Sequence, residues 1–128
     1  MLTKPETVLQ KWMSFINSGD INGLLALYSQ NAVLIPTFSN RLLSTPALLR
    51  EYFERLLGRD DLSLALHEKT LITRPLHQNI HSLCGIYCWR FAIDGELLSF
   101  EARFSYMLDI ALPSPILQHH SSQIPRML

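Results

Sequence analysis

The stretch Ser99-Phe-Glu-Ala-Arg-Phe-Ser-Tyr-Met-Leu108, followed by Pro115-Ile-Leu-Gln-His-His-Ser-Ser-Gln-Ile-Pro125, indicates the fold more clearly than any other part of the chain. Its first segment shows the period-2 alternation that is typical of a strand. One face carries Ser99, Glu101, Arg103, Ser105 and Met107, and the other carries Phe100, Ala102, Phe104 and Tyr106. We therefore expect a strand with one polar face and one apolar face.

The polar face of this strand carries two opposite charges that can pair. An exposed ion pair on a wet outer face is the simpler interpretation of Glu101 and Arg103, since antiparallel sheets often have one solvated side. We instead expect the helices to pack on this face, because four apolar residues already occupy the other one. The sequence then predicts that Arg103 is mostly buried, pairs with Glu101 or a tyrosine, and shares a pocket with His119 or Ser121.

Length and composition indicate one globular domain that spans residues 1–128. A chain of 128 residues buries about two-thirds of its unfolded surface, and 48% hydrophobic with 17% charged residues suits such a core. The 11 basic and 11 acidic residues cancel, so there is no broad attraction for nucleic acid or an anionic membrane. We expect neither as a partner.

The two cysteines and the N-terminal sequence suggest a reducing compartment. Cys84 and Cys88 lie four apart in a strand-like run, too distant for an easy disulfide, and they form no CxxC pair. The first residues lack the apolar run of a signal peptide, and no stretch approaches the ~18 apolar residues of a membrane span. We expect free thiols and a cytoplasmic protein.

The order of predicted elements indicates an α+β fold. Cap and spacing signals predict three helices, namely Thr3–Asn17 with Thr3 as the cap, a second from Asp20 with Tyr28 on its inner stripe, and Thr45–Gly58. Strand signals predict a brief strand over 32–36 and four long ones over 62–73, 80–93, 97–110 and 116–123. Helices followed by antiparallel strands suggest that three N-terminal helices pack on one mainly antiparallel sheet.

Asp94-Gly95 predicts a two-residue hairpin turn, which sets the register of the two strands around it. Ile93 then faces Glu96, Ile86 faces Arg103, and Trp89 faces Phe100. This register collects six aromatic side chains on the face that we expect to point outward: Tyr87, Trp89, Phe91, Phe100, Phe104 and Tyr106. An exposed patch of that size marks an interface, so we expect a homodimer or higher oligomer through this sheet face.

Six segments spread over nearly the whole chain share a pattern with one known superfamily. They are Leu24–Tyr28, Asn31–Thr37, Thr45–Glu54, Gly85–Tyr87, Ala102–Tyr106 and His119–Pro125. Together they resemble the nuclear transport factor 2-like superfamily, which includes SnoaL-like and ketosteroid isomerase-like proteins. Within it, the chain is similar to bacterial relatives of the calcium/calmodulin-dependent kinase II association domain. The resemblance implies a cone of three helices and a curved sheet, with a pocket inside and oligomerisation through the outer face.

The resemblance also implies candidate ligand-binding residues. The kinase association domain has a pocket of arginines and a histidine that suits a small carboxylate, and Arg103 and His67 match two of these residues. Ser121 stands where a second arginine is found, and Trp89 falls at or beside the position of a third. The pocket of this chain should therefore be less cationic.

Other members of the superfamily are isomerases, cyclases and dehydratases. They use a pocket Asp or His as proton carrier and a Tyr as oxyanion donor. In this chain the residues with suitable chemistry are Tyr28, His67, His119 and Glu101. Each has an ordinary structural alternative, since a buried tyrosine or a lone histidine more often serves packing.

No cofactor or metal site is expected from the sequence. His119 and His120 are consecutive strand residues, so they point to opposite faces and cannot hold one ion together. The sequence contains no GxGxxG, no P-loop and no nucleophile elbow.

Three functions remain open at this point. The protein is an oligomeric domain that binds an anionic or carbonyl-bearing small molecule, an isomerase-, dehydratase- or cyclase-type enzyme that needs no cofactor, or an assembly module with a vestigial pocket. We favour ligand binding, because Arg103 would hold Glu101 ionised and leave no carboxylate base.

Overall fold

The computed structural model describes residues 3–128, in which three helices pack against one side of a six-stranded sheet. The elements in chain order are α1 (Pro5–Ser18), α2 (Ile21–Ala26), β1 (Tyr28–Ile35), α3 (Pro46–Leu57), β2 (Ser63–Leu66), β3 (Ile72–His77), β4 (Ile80–Ile93), β5 (Glu96–Asp109) and β6 (Ile116–Gln123). A short 3-10 turn, Glu68–Thr70, links β2 to β3. The architecture is the predicted α+β class.

The helix caps show which start signals the chain uses. The Asp20 side chain accepts a hydrogen bond from the Gly23 N–H at 2.9 Å, and Thr45 Oγ1 accepts from the Leu48 N–H at 3.3 Å, both as predicted. Our Thr3 cap is wrong, because α1 begins after Lys4, whose side chain makes no capping bond. Pro5 at the first helical position, with its φ already fixed, suits that start.

The sheet order places the last strand of the chain in its interior. The order is β1-β6-β5-β4-β2, with β3 also pairing with β4. β6 runs antiparallel to β5 but parallel to β1, so the sheet is mixed. Asp94 and Gly95 have φ values of 52° and 80°, as a two-residue turn requires. The predicted hairpin register is confirmed, with Ile86 opposite Arg103.

The segment after α3 differs from its prediction as one long strand over 62–73. It forms two shorter strands, β2 and β3, which both pair with β4, and β3 continues to His77. Pro75 lies within β3. Proline is tolerated in an edge strand because its missing N–H faces away from the neighbouring strand. Tyr28 likewise belongs to β1 and not to α2, which ends at Ala26.

The two faces of the sheet are reversed relative to our expectation. The inner face, which we define as the one covered by the helices, carries the buried side chains Leu83, Tyr87, Trp89, Phe91, Ala102, Phe104, Tyr106, Leu108, His119 and Ser121. Glu101, Arg103 and Met107 point outward and are exposed. The period-2 alternation was predicted correctly, but the side that meets the helices was not.

Buried apolar area explains which face becomes the inner one. Each aromatic side chain buries roughly 150–250 Å², and apolar burial is favourable by about 25 cal/mol per Å². Placing Arg103 and Glu101 inside would instead remove two charges from water, at a cost of several kcal/mol per ion. Of the six aromatic residues that we expected at an interface, five are therefore buried on the inner face, and Phe100 is partly buried on the same face.

Two smaller observations complete the description of the fold. Cys84 and Cys88 are both unpaired thiols, as predicted, and lie partly exposed in β4. Among residues 3–128 no helix has the length and apolar character needed to cross a membrane.

Candidate functional site

A buried histidine lies at the centre of the polar contacts inside the protein. His119, on β6, is 1% exposed. Its Nδ1 lies 2.8 Å from the Tyr28 hydroxyl at the start of β1, and its Nε2 lies 3.2 Å from the Tyr87 hydroxyl on β4. The indole N–H of Trp12, on α1, donates to the Tyr28 hydroxyl at 3.0 Å. We call these four residues the His119 cluster.

Aromatic rings hold the imidazole of His119 in one orientation. Tyr106 stacks on it with ring centroids 4.0 Å apart and an interplanar angle of 14°. Trp12 meets it edge to face at 5.2 Å and stacks on Tyr87 at 5.6 Å. Both ring nitrogens of His119 therefore stay directed at tyrosine hydroxyls.

The His119 cluster is uncharged at neutral pH. Burial lowers the pKa of His119 to about 3, with a further lowering from the adjacent His120. Burial also raises the pKa values of Tyr28 and Tyr87 above their ordinary range. A neutral imidazole donates from one nitrogen and accepts at the other, so one tyrosine hydroxyl donates to His119 and the other accepts from it.

A small void borders the His119 cluster. Its volume is about 10 Å³, and its lining includes His119, Tyr87, Trp89, Thr37, Tyr52 and Ser121. The Thr37 and Ser121 hydroxyls are hydrogen-bonded to each other. The Trp89 indole N–H is buried and has no hydrogen-bond partner among the described residues. Although polar side chains border this void, the surface that it exposes is apolar, and its volume is at the lower limit for one water molecule.

A much larger cleft opens next to this void. Its volume is about 890 Å³, and it lies between α3, the segment that follows β1, and the β4–β5 hairpin. Its walls include three arginines and one glutamate together with apolar and aromatic side chains: Arg41, Arg55, Arg59, Glu51, Leu43, Leu48, Phe38, Phe91 and Phe100. We call it the arginine cleft.

The guanidinium groups of the arginine cleft differ in their partners. Arg55 pairs with Glu51 at 3.1 Å. The Arg59 guanidinium lies over the Phe91 ring, 5.3 Å from its centroid. Within the described part of the chain, neither Arg41 nor Arg59 forms an ion pair. The cleft therefore presents two arginines whose charge no acidic side chain compensates.

The structure divides the predicted site residues into two groups on opposite sides of the sheet. Tyr28, His119 and Ser121 lie inside. Glu101, Arg103 and His67 lie on the outer face, so our shared pocket for these residues is wrong. The β5–β6 register explains the separation, because it sets Ser122 opposite Arg103 and leaves Ser121 opposite Phe104.

The predicted pair of Glu101 with Arg103 is also wrong. Glu101 Oε2 lies 3.0 Å from His67 Nε2, and both side chains are about half-exposed. His67 directly follows β2, and Glu101 lies on β5, with β4 between these two strands. This is a solvated surface contact, of the kind that we weighed as the simpler alternative.

Several residues that line the void or the arginine cleft were not predicted from the sequence. Tyr87 and Trp89 were assigned to an outward patch because the inner face was misplaced. Arg55 lies in the last turn of α3 and Arg59 directly follows its Gly58 cap, so both arginines lie at one helix end. That signal could have indicated a cationic site, whereas Phe38 lies in a loop segment that carries no periodic pattern.

The comparisons with known proteins identify the fold. No family model matches the sequence, and no curated protein sequence does either. Solved structures match with high similarity over almost the entire chain, and they include nuclear transport factor 2-like proteins. This chain therefore has the nuclear transport factor 2-like fold that its sequence predicts.

Three of these structures illustrate the likeness. A calcium/calmodulin-dependent protein kinase II association domain-like protein from Xanthomonas campestris has a TM-score of 0.84 at 22% identity, covering 95% of this chain and 86% of its own. A ketosteroid isomerase-like protein from Erwinia carotovora has a TM-score of 0.74 at 12% identity, with 94% of both chains covered. A dehydratase-like protein from Streptomyces avermitilis has a TM-score of 0.79 at 9% identity, again with 94% of both chains covered.

Proposed function

We propose that this protein binds a small amphipathic anion in the arginine cleft. The observation that carries this proposal is the cleft itself, about 890 Å³ in volume, with arginines at its rim and aromatic side chains in its wall. Ligand sites are typically clefts of roughly 300–1,000 Å³, mostly apolar with a few placed polar groups. The proposal keeps our expectation of an arginine-containing pocket for an anionic ligand but moves it away from Arg103.

The charges of the cleft favour a carboxylate or a similar anion. A guanidinium binds carboxylates through two parallel hydrogen bonds, and Arg41 and Arg59 have no acidic partner among residues 3–128. Phe91 and Phe100 stack on each other at 4.9 Å and offer an apolar wall beside Arg59. A ligand with an anionic head and an apolar body matches both features.

An enzyme that moves protons is the second candidate, and the neighbours with isomerase-like and dehydratase-like descriptions favour it. Two features of this chain make ligand binding the stronger proposal. A proton carrier works best with a pKa near the working pH, whereas burial lowers the pKa of His119 to about 3. Glu101, the other candidate base, lies on the outer face.

Self-association through the outer face of the sheet also stays a proposal. The aromatic residues that first suggested it lie on the inner face, so a homodimer would have to use outward residues such as Met107 and Ile72, which are 39% and 49% exposed. A stable interface buries about 1,200–2,000 Å² in total. Sedimentation velocity at micromolar concentration tests it, and a monomer would contradict it.

The binding proposal is tested with anilinonaphthalene sulfonate, a fluorescent probe that is both anionic and aromatic. We expect its fluorescence to rise on binding and to fall when octanoate displaces it. Octanol has the same chain length without the charge and should displace it less well. Arg59→Gln should weaken binding roughly tenfold, which corresponds to about 1.4 kcal/mol.

Arg90→Gln is the matched control, because Arg90 is an exposed arginine of β4 that does not line the arginine cleft. It should leave probe affinity unchanged. Equal displacement by octanoate and octanol, or equal losses in the two variants, would contradict an anion site in the cleft.

A further inference from the structure

The strand β5 is longer than the neighbouring strand β6, so part of its edge is free. β5 pairs with β4 along its whole length, from Glu96 to Asp109. Its pairing with β6 begins only at Ala102, opposite Gln123. Within the described chain, no strand pairs with residues 96–101 on that side. The backbone N–H and C=O groups of such an edge are a template for pairing with another extended segment.

The segment that follows β6, residues 124–128, starts at this free edge. The Ile124 N–H donates to the Glu101 C=O at 3.2 Å, which continues the β5–β6 ladder by one residue. Residues 125–128 belong to no helix or strand. Ile124, Met127 and Leu128 are nevertheless apolar, and all three are exposed. The segment therefore presents apolar side chains to solvent next to an edge that lacks a partner.

Continuation of the β5–β6 register gives each residue of this segment a partner on β5. The register sets Ala102 opposite Gln123, and each step forward along one antiparallel strand is a step back along the other. The resulting pairs are Ile124 with Glu101, Pro125 with Phe100, Arg126 with Ser99, Met127 with Leu98 and Leu128 with Leu97. The free edge is therefore long enough for all five residues, and no bulge is needed.

The proline of the segment falls at a position that a strand accepts. Facing residues in an antiparallel ladder alternate between hydrogen-bonded and non-hydrogen-bonded pairs. The Ile124 N–H bonds to Glu101, so the next hydrogen-bonded pair would be Arg126 with Ser99. Pro125 lies between these two positions, and its missing N–H would face away from β5. The backbone of the segment is thus compatible with pairing along its length.

On the outer face, the paired segment would form two favourable side-chain contacts. Arg126 would lie diagonally from Glu101, whose carboxylate is about half-exposed. Leu128 would lie directly opposite Leu97, which is 56% exposed. Opposite charges and apolar neighbours on one face of an antiparallel pair both stabilise it.

On the inner face, the paired segment would add a wall to the arginine cleft. Gln123, the last residue of β6, already lines the cleft. Because side chains alternate along a strand, Pro125 and Met127 would follow Gln123 on that face. Phe100, the β5 residue opposite Pro125 in this register, lines the cleft as well. The apolar body of a ligand in the cleft would then be covered by Met127.

We propose that residues 124–128 are a strap, which extends β6 along the free edge of β5 and closes the arginine cleft over a bound ligand. With the cleft empty, docking orders the segment at a cost in conformational entropy, and Met127 gains little apolar contact. A ligand with an apolar body supplies that contact, so ligand binding and docking of the strap favour each other. This inference rests on the proposed function, because it adds a closing step to the same site.

Docking is tested by disulfide cross-linking in a background with Cys84→Ser and Cys88→Ser. Ser99→Cys with Arg126→Cys places two thiols in a facing pair, whose Cα atoms are about 5.5 Å apart when the strap is docked, within the range of a disulfide. The matched control is Arg90→Cys with Arg126→Cys. Arg90 faces Ser99 from the other side, on β4, so it lies two strand spacings, about 9–10 Å, from the docked strap.

We expect the Ser99 pair to oxidise roughly tenfold faster than the Arg90 pair, because docking raises the effective concentration of one thiol at the other. Bound anilinonaphthalene sulfonate should raise the Ser99 rate by about a further tenfold. Equal rates for the two pairs would overturn docking, and this comparison needs no ligand. A Ser99 rate that the bound probe leaves unchanged would overturn the closing step. Probe fluorescence in the same samples reports separately whether the cleft binds the anion.

The closing step also determines how fast the probe leaves the cleft. Arg126→Pro removes the N–H that bonds to Ser99 in the docked strap, and should speed probe dissociation roughly tenfold. Arg126→Lys keeps both the N–H and the charge, so its dissociation rate should stay near that of the parent. Stopped-flow fluorescence after addition of excess octanoate measures both rates. Equal dissociation rates in the two variants would contradict the strap, whereas loss of probe binding in the parent would contradict the anion site itself.

Discussion

The two faces of the β4–β5 hairpin arise from the same alternating pattern, but one face is buried and the other is exposed to solvent. The inner face presents Tyr87, Phe104 and Tyr106, which are at most 4% exposed. The outer face presents Glu101 and Arg103, which are exposed, and the polar contact there joins Glu101 to His67. Alternation in the sequence therefore indicates that a strand has two different faces. Which face the helices cover depends on the total apolar area of each.

The largest expected contrast between the faces comes from neighbouring residues on one strand. Phe104→Ala should lower the free energy of unfolding by about 3–5 kcal/mol, because it leaves a cavity where the ring stacks on Tyr87 at 4.4 Å. Arg103→Ala should change it by less than about 0.5 kcal/mol. Urea unfolding measures both. A loss of several kcal/mol from Arg103→Ala would show that the outer face is covered in solution.

A smaller effect is expected from adding a methyl group to the inner face at Gly85. An added Cβ would lie 2.9 Å from Phe104 Cζ, so Gly85→Ala should overpack the core and cost about 1–3 kcal/mol. Phe104→Leu removes the ring that causes the clash. In a double-mutant cycle the cost of Gly85→Ala should therefore shrink when Phe104→Leu is present. Strict additivity of the two changes would contradict this contact.

Because His119 on the inner face is neutral in the folded protein, we expect the free energy of unfolding to depend on pH. Burial holds its pKa at about 3 in the folded protein, while the unfolded chain binds a proton at about 6.5. Stability is therefore full above pH 6.5 and falls as the pH decreases, by up to about 1.4 kcal/mol per pH unit from this residue. Denaturant unfolding at several pH values measures the slope.

Two variants at adjacent positions test whether His119 is the cause of this pH dependence. His119→Gln should remove it, provided that the variant folds, which circular dichroism checks. His120→Gln changes an exposed residue of the same strand and should leave the slope in place. If both variants keep the parent slope, the dependence comes from other groups.

The smallest effect is expected from the contact between His67 and Glu101 on the outer face. His67 and Glu101 are about half-exposed, so solvent screens their 3.0 Å contact. Glu101→Gln should change the free energy of unfolding by less than about 1 kcal/mol, because exposed pairs contribute little. A double-mutant cycle with His67→Gln measures the coupling directly. A coupling of several kcal/mol would mean that this pair is desolvated by a partner.

Much of the fold could be predicted from local signals in the sequence. Asp94-Gly95 set the hairpin register, and Asp20 and Thr45 marked helix starts, because the physical cause of each lies within a few residues. The strand containing Pro75 was missed because a proline inside an edge strand looks like an interruption. Each of these successes and failures concerns short-range chemistry.

The candidate site could be predicted only in part, since its geometry depends on contacts between distant segments. His119 and Tyr28 were named as candidates, but the bond between them joins residues 91 positions apart. Arg103 was misplaced because its side of the sheet depends on where the helices pack. The arginine cleft combines a loop, a helix end and a hairpin, and no single sequence window contains it.

The position of β6 has a consequence for how the protein is made. β6 lies between β1 and β5, so β1 leaves the ribosome long before the strand that it pairs with. Until then the nascent chain exposes the edges of both β1 and β5, which is a hazard for aggregation. His119 lies on that same late strand, so completion of the sheet and assembly of the buried cluster are one event in biosynthesis.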